Sequence, residues 1–171
     1  MPKPDFSRVP PFFHPYIKQV TEDDVLQALK NQAPSFIRFL TSIPAGKRNY
    51  RYAEGKWTLQ EMLQHIIDTE RIFAYRALCI ARKEKASLPG FDEREYAAHS
   101  KASNRNWNNL IEEFAVVRDS TILLFQSFDA EQLESEGMAS EKPIYVLGIG
   151  FTIAGHVNHH KNIIEDRYLA L

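Results

Sequence analysis

The segment from Trp57 to Gly90 constrains the fold most, because its pattern predicts one long amphipathic helix with well-marked ends. Thr58-Leu59-Gln60-Glu61 has the sequence of a capping box, and Trp57 and Met62 occupy the two positions of a hydrophobic staple. Apolar residues then recur at helical spacing for about six turns, until Ser87-Leu88-Pro89-Gly90 breaks the pattern. A helix of this kind needs other elements to cover its apolar face.

Three further segments have helical spacing, and no part of the chain has a convincing strand pattern. The first helix is predicted within 21–43, where Pro34 should kink or split it. The third is predicted within 107–128, and the fourth within 143–169, with a proline in its first turn. A short helical turn is expected within 91–100, in the long connection after the second helix. The sequence therefore predicts an all-α protein, a four-helix bundle.

Residues 1–20 differ from the rest of the chain, because they carry five prolines among several aromatic residues. This composition predicts an extended, non-helical N-terminal arm whose aromatic side chains pack on the body of the protein. No internal repeat, low-complexity tract or shift in composition marks a second domain. We therefore predict that residues 21–171 form a single helical-bundle domain.

Charge and cysteine content narrow the expected partners and location. The formal net charge of the 171 residues is -1, which gives no electrostatic reason to expect nucleic acid or an anionic membrane as a partner. Cys79 is the single cysteine, so an intrachain disulfide is excluded. The chain lacks a signal-peptide pattern and a run of about 18 apolar residues. We expect a cytoplasmic protein.

The candidate site is a His-rich turn near the C-terminus, Gly155-His156-Val157-Asn158-His159-His160. His156 and His160 are four residues apart and therefore share one face of a helix, the side that also carries Ile149 and Ile153. Two such imidazoles can bind one metal ion and leave room for a ligand from a facing helix. His65, in the second predicted helix, is the natural third ligand.

Residue spacing alone leaves two alternatives to this ligand assignment. His159 lies three residues after His156 and could replace His160 in a purely geometric argument, and an isolated H-x-x-x-H pattern is also common among ordinary surface or core histidines.

Gly148, Gly150 and Gly155 weaken the last helix intrinsically. Their presence predicts a close approach by a neighbouring element.

Short motifs at consistent spacing then identify a family. They are Gly55-Lys56-Trp57-Thr58, Glu61, His65-Ile66-Ile67-Asp68-Thr69-Glu70-Arg71, Arg76-Ala77-Leu78, Ala81-Arg82, Leu88-Pro89-Gly90-Phe91-Asp92, Ile153-Ala154-Gly155-His156, His159-His160 and Arg167-Tyr168-Leu169. With these residues the chain resembles the DinB/YfiT-like superfamily of bacterial metalloenzymes. The resemblance implies an up-down-down-up four-helix bundle, a homodimer, a link to the stress response, and a metal bound by His65, His156 and His160.

Three protein ligands leave a coordination position for water or substrate, which is typical of catalytic metal sites. The first interpretation is a metal-dependent hydrolase acting on a small molecule. The second, known for part of the superfamily, is transfer of a low-molecular-weight thiol to an electrophile, and the third is a non-enzymatic metalloprotein that binds a small molecule or partner. The metal is expected to be zinc or nickel, with iron and manganese as alternatives.

A proton carrier would assist either reaction, and two carboxylates are candidates. Glu61 and Asp68 lie four residues before and three after His65, on its side of the helix. Each is assigned here as a candidate catalytic residue. Helix capping, solvent exposure and orientation of an imidazole are the alternative roles.

Overall fold

The computed structural model describes residues 3–170, so the first two residues of the predicted arm and residue 171 of the predicted bundle domain lie outside the described residues. Its helices and strands are α1 (His14–Ile17), α2 (Val25–Ser42), α3 (Leu59–Ala81), α4 (Glu93–His99), α5 (Trp107–Gln126), α6 (Ala130–Leu133), β1 (Glu136–Ala139), β2 (Lys142–Tyr145) and α7 (Val146–Ile163). A π-helical segment, Ile164–Leu169, continues α7. The long helices α2, α3, α5 and α7 form the predicted bundle.

The direction of α5 follows from its contacts with α3 and α2. Near the start of α3, Gln60 Nε2 donates a hydrogen bond to the carbonyl oxygen of Arg105, just before α5. Further along both helices Glu70 pairs with Arg118, so α3 and α5 run parallel. Near the end of α2, Leu40 O accepts a hydrogen bond from Trp107 Nε1 at the start of α5, so α2 and α5 run antiparallel.

The direction of α7 completes the topology. Gln32 Nε2 in the middle of α2 donates to Ala154 O and Asn158 Oδ1 of α7. Val25 at the start of α2 lies against Gly150, so these two helices run parallel. The order is therefore up-down-down-up, as the family resemblance implies. Residues 82–106 must cross the bundle because they join two parallel neighbours, α3 and α5.

A buried polar layer separates two apolar clusters of the core. One cluster centres on residues such as Phe73, Val146 and Ile149, and the other on residues such as Leu63, Phe114 and Tyr168. Between them the Arg118 guanidinium donates two hydrogen bonds to the Glu70 carboxylate, at 2.8 and 2.9 Å, and both side chains are at least 98% buried. Arg118 also donates to Gln32 Oε1, which links the layer to α2 and, through Gln32, to α7.

The arm differs from the extended conformation predicted for it. Phe6–Arg8 and Pro11–Phe13 are 3-10 turns, and α1 follows directly. The prolines explain the difference, because Pro11 and Pro15 lie in the first turns of these elements, where a missing N–H removes no hydrogen bond. The aromatic side chains pack on the body as expected; Phe13, for example, contacts Phe73 of α3 edge-to-face.

The all-α fold class is confirmed, but the expectation of no strand is wrong for residues 136–145, which form the antiparallel hairpin β1–β2. The predicted start of the fourth helix at Pro143 is also wrong, because Pro143 lies in β2 and the helix begins at Val146. Ser140 and Glu141 make the turn with left-handed φ angles of 52° and 61°. This turn lacks the glycine or asparagine that would signal a hairpin in the sequence.

Pro34 does not split α2, which runs as one helix through it. The Pro34 side chain is exposed, whereas Leu29, Phe36 and Leu40 on either side of it are fully buried. Packing of this face outweighs the local penalty of about 3 kcal/mol for an internal proline. Of the helices within residues 3–170, none combines the length and apolar composition that a membrane span requires.

Candidate metal centre

The structure brings the three predicted ligands together between α3 and α7. His65 Nε2 lies 3.1 Å from His156 Nε2, which lies 3.0 Å from His160 Nε2. The three potential ligand atoms are all within 4.8 Å of one another, and the residues are only 6–8% exposed. Antiparallel packing produces this arrangement, because α3 supplies one imidazole opposite a pair that is four residues apart on α7.

Burial keeps these imidazoles neutral. It lowers the pKa of His65 to about 4. Burial also lowers the pKa of His156 and His160 well below the ordinary value, and repulsion from neighbouring imidazolium charge acts in the same direction. A neutral imidazole offers a lone pair, which is the form that binds a metal.

The cluster fits a metal ion better than it fits a hydrogen-bonded network. Two nitrogens that bind one tetrahedral ion at 2.0–2.1 Å lie about 3.3 Å apart, close to the two Nε2 separations here. The Nε2 atom of His156 makes both contacts, but in a neutral imidazole this atom has either one N–H or one lone pair, so it can form a normal hydrogen bond with only one of the two other rings. His160 Nδ1 is buried without a hydrogen-bond partner among residues 3–170.

His159 lies outside this group. Its half-buried ring packs against Tyr16, with ring centroids 4.7 Å apart, and Tyr16 also contacts His156. Gly155 permits this contact, because a Cβ atom at Gly155 would overlap the carbonyl group of Tyr16. The close approach predicted from the glycines of α7 is thus confirmed, and it places α1 over the candidate site.

Two neighbours hold the ring of His65. Thr69, one turn further along α3, places its hydroxyl oxygen 3.4 Å from His65 Nδ1. The Trp57 ring packs on the other side, with centroids 4.7 Å apart. The carbonyl oxygen of Trp57 accepts a hydrogen bond of 2.6 Å from the Tyr168 hydroxyl, which fixes Trp57 to the end of the bundle. A hydrogen bond on the distal nitrogen is the usual means of orienting a metal-binding imidazole.

Glu61 and Asp68 have other contacts. Glu61 accepts hydrogen bonds from the Thr58 backbone N–H and from Arg51, so the predicted capping box is present. Asp68 accepts from Gln64, and burial raises the pKa of its carboxyl group despite that bond. Neither residue lines the cavity beside the histidines. Their catalytic role stays a prediction.

Cavities lie on both sides of the histidine cluster. The first has a volume of about 340 Å³, and His65 and His156 form part of its wall. The second, of about 360 Å³, borders His160 and Trp57. Glu93, an exposed residue at the start of α4, lines both cavities. The arm thus borders the first cavity, and α4 borders both.

Sequence reasoning missed several residues around the cluster. Thr69 could have been found, because it lies one helical turn from His65 on the same face. Tyr16, Glu93 and Arg76 could not, since the first two reach the site from distant segments and Arg76 gives no local signal of what it faces. The crossing connection and the docked arm bring these side chains to the cavity.

Comparisons with known proteins agree with this fold. The sequence model of the DinB superfamily matches residues 28–164. Among solved structures the chain is similar to YfiT from Bacillus subtilis, with a TM-score of 0.71 and 16% sequence identity, over 98% of this chain and 92% of that one. YfiT is described as a probable metal-dependent hydrolase with an unusual four-helix bundle topology. A search of curated proteins gives no match.

Proposed function

Because the chain belongs to the DinB superfamily, we propose that it is a metal-dependent hydrolase of a small molecule, with one divalent ion held by His65, His156 and His160. The observation that carries this proposal is the convergence of three buried, neutral imidazoles at the wall of a cavity. Zinc or nickel is the proposed metal, with iron and manganese as alternatives.

Three protein ligands favour catalysis over a structural role, because structural zinc sites are usually closed by four. The chemistry that a bound divalent ion supplies is activation of water as a nucleophile at neutral pH. The chain contributes the rest of the environment. Thr69 orients His65, the Trp57 ring covers it, and apolar side chains form most of the adjoining cavity wall.

Glu93 is the proposed proton carrier of this site. It is the one carboxylate among residues 3–170 that lines the cavity containing His65 and His156. Glu93 also lines the second cavity, which borders His160, so it adjoins the space on both sides of the cluster. An exposed carboxylate at the mouth of the site can exchange protons with solvent.

Glu93→Gln should therefore lower kcat by about 10²- to 10⁴-fold, the usual contribution of a positioned acid or base, and leave the metal content unchanged. Glu95→Gln is the matched control, because Glu95 is on the same helix, is exposed and is not part of the cavity wall. Equal kcat values for the Glu93 variant and the wild type would contradict this role.

Thiol transfer is the second candidate, and the paired cavities favour it. A transferase must bind a thiol and an electrophile together, and cavities of about 340 and 360 Å³ flank the histidines on two sides. A divalent ion bound by the three histidines would favour the thiolate form of such a thiol, which is the nucleophilic form.

One assay separates these functions. Metal-loaded protein is incubated with an activated ester such as 4-nitrophenyl acetate, with and without a panel of cellular thiols, and His65→Ala serves as the inactive variant. Turnover in water alone supports hydrolysis, and adducts formed only with a thiol support transfer. If neither occurs although the metal is bound, both proposals fail and a non-enzymatic metalloprotein remains.

A further inference from the structure

The cavity beside the histidines contains an arginine whose charge has no counterion. Arg76 is only 6% exposed, and among residues 3–170 no carboxylate lies within salt-bridge distance of it. Only its Nη2 atom donates hydrogen bonds, to Pro89 O at 2.8 Å and Ser140 Oγ at 3.2 Å, and its Nε is buried without a partner. By contrast, Arg118, the other buried arginine among residues 3–170, has a two-point contact with Glu70.

An unpaired buried guanidinium is unfavourable unless something compensates it. The Phe73 and Phe91 rings, with centroids 5.4 and 5.9 Å from the guanidinium carbon of Arg76, give it cation–π contacts but no opposite charge. Burial lowers the pKa of Arg76. The planar, forked arrangement of guanidinium N–H groups matches carboxylate and phosphate oxygens. Arg76 is therefore placed and shaped for an anionic group that enters the cavity.

The β1–β2 hairpin adds polar groups at the same end of the cavity. Ser140, in the hairpin turn, has a left-handed φ of 52°, a conformation that is unfavourable for a residue with a side chain. In this conformation its hydroxyl contacts Arg76. Lys142, the first residue of β2, also lines the cavity and has no ion pair among the described residues. Strain of this kind is found preferentially where a side chain serves a binding site.

The spacing of His65 and Arg76 along α3 indicates how long a molecule must be to reach both ends of the cavity. Arg76 is eleven residues after His65, which places both on nearly the same face of the helix and about 16 Å apart along its axis. Thr69 and Phe73 lie between them on the cavity wall. The remaining walls are mostly aromatic or aliphatic, with Phe12, Phe13 and Phe91 among the aromatic residues. The cavity is thus elongated, polar at both ends and apolar in between.

We propose that Arg76, with Ser140 and Lys142, binds the anionic end of an elongated, largely apolar substrate, a carboxylate or a phosphate, while its other end reaches the histidine cluster. This inference rests on the proposed function of that cluster, and it assigns the class of substrate. The aromatic walls take the body of the molecule, and its charge determines which end approaches the histidines.

The test is equilibrium binding of matched probes to the full-length protein by calorimetry, with metal loaded and after chelation. The probes are 4-phenylbutyrate, its uncharged amide, and 2-phenylethyl phosphate. Whichever of the two anions binds more tightly should bind to wild-type protein at least tenfold more tightly than the amide. This difference is expected for both metal-loaded and chelated protein. Which anion binds better distinguishes a carboxylate from a phosphate substrate.

Arg76→Gln should weaken binding of that anion by about 10- to 100-fold, as expected for loss of a charged hydrogen-bond partner, and leave amide binding unchanged. Lys142→Gln gives a second test, and because Lys142 is exposed this substitution should not disturb the buried core. Affinity for the anion should fall by about two- to fivefold. Arg82→Gln is the control, since Arg82 is exposed at the end of the same helix.

Equal binding of acid, phosphate and amide, or no saturable binding of any probe, would overturn the inference. Failure of the proposed function is a separate result. A chain that binds no metal but still prefers the anion through Arg76 contradicts the hydrolase and retains the subsite. A chain that binds metal stoichiometrically without any preference for the anion retains the metal centre and refutes the subsite.

Discussion

At the residue scale, Gly155 is the glycine of α7 at which a side chain should be least tolerated. A methyl group there would overlap the backbone of Tyr16, and a backbone segment cannot rotate away as a side chain can. Gly155→Ala should lower the free energy of unfolding by about 1–3 kcal/mol, despite the better helix propensity of alanine.

Urea unfolding measures this change, and Gly46→Ala is the control because a Cβ atom at Gly46 meets nothing within 4 Å. The control should stay within about 0.5 kcal/mol of the wild type. A Gly155→Ala protein as stable as the wild type would show that α1 does not depend on this contact.

The Glu70–Arg118 pair is the second position where one side chain has a large expected effect. Glu70→Gln leaves the buried guanidinium of Arg118 without its counter-charge, and such a loss costs about 3–5 kcal/mol of stability. Glu165→Gln removes the partner of Lys161 in a partly exposed pair and should change stability by less than about 1 kcal/mol. Chemical denaturation of both variants tests the contrast, and similar values for the two would contradict the account of the polar layer.

At the scale of elements, the long helices could be predicted from the sequence, and their irregular connections could not. The capping box of α3 is a local signal that depends on two residues three positions apart, Thr58 and Glu61, and the structure confirms it. The helical spacing of α2 correctly indicates its buried face, but the local effect of Pro34 is overridden by packing on both sides of it. The hairpin β1–β2 depends on a turn with unfavourable residues, which only its tertiary contacts stabilise.

The same distinction applies to the candidate site. His156 and His160 share a helix face by spacing alone, whereas exclusion of His159 depends on the exact rotation of α7 against α1 and α3. Arg76 and Glu93 belong to the cavity because of how the crossing connection and the arm dock, which no local pattern indicates. Spacing therefore indicates the candidate ligands only together with the family resemblance, which selects His160 over His159, and it does not indicate the other residues of the cavity wall.

At the scale of the whole molecule, the buried histidines make the stability of the metal-free protein depend on pH. Because the pKa of His65 is lowered to about 4 in the folded state, the unfolded chain binds a proton below about pH 6.5 that the folded protein does not. Stability is therefore complete above pH 6.5 and is lost as the pH falls towards 4, by up to about 1.4 kcal/mol per pH unit for each such histidine.

Thermal unfolding of the chelated protein across this range measures the effect. His65→Gln should flatten the dependence, whereas His99→Gln should not, because His99 is exposed at the end of α4. Constant stability of the wild type between pH 6.5 and 4 would contradict the burial of neutral imidazoles. The homodimer and the stress-response link that the family resemblance implies stay predictions.

The central claim is that one metal ion is bound where α3 meets α7, and metal content tests it most directly. The full chain is purified without added metal or chelator, and its metals are quantified by plasma mass spectrometry beside His65→Ala, His160→Ala and the control His159→Ala. We expect about one divalent ion per chain in the wild type and in the control, and loss of that ion in the other two variants. Unchanged metal content in His65→Ala and His160→Ala, or a wild-type chain without bound metal, would contradict the claim.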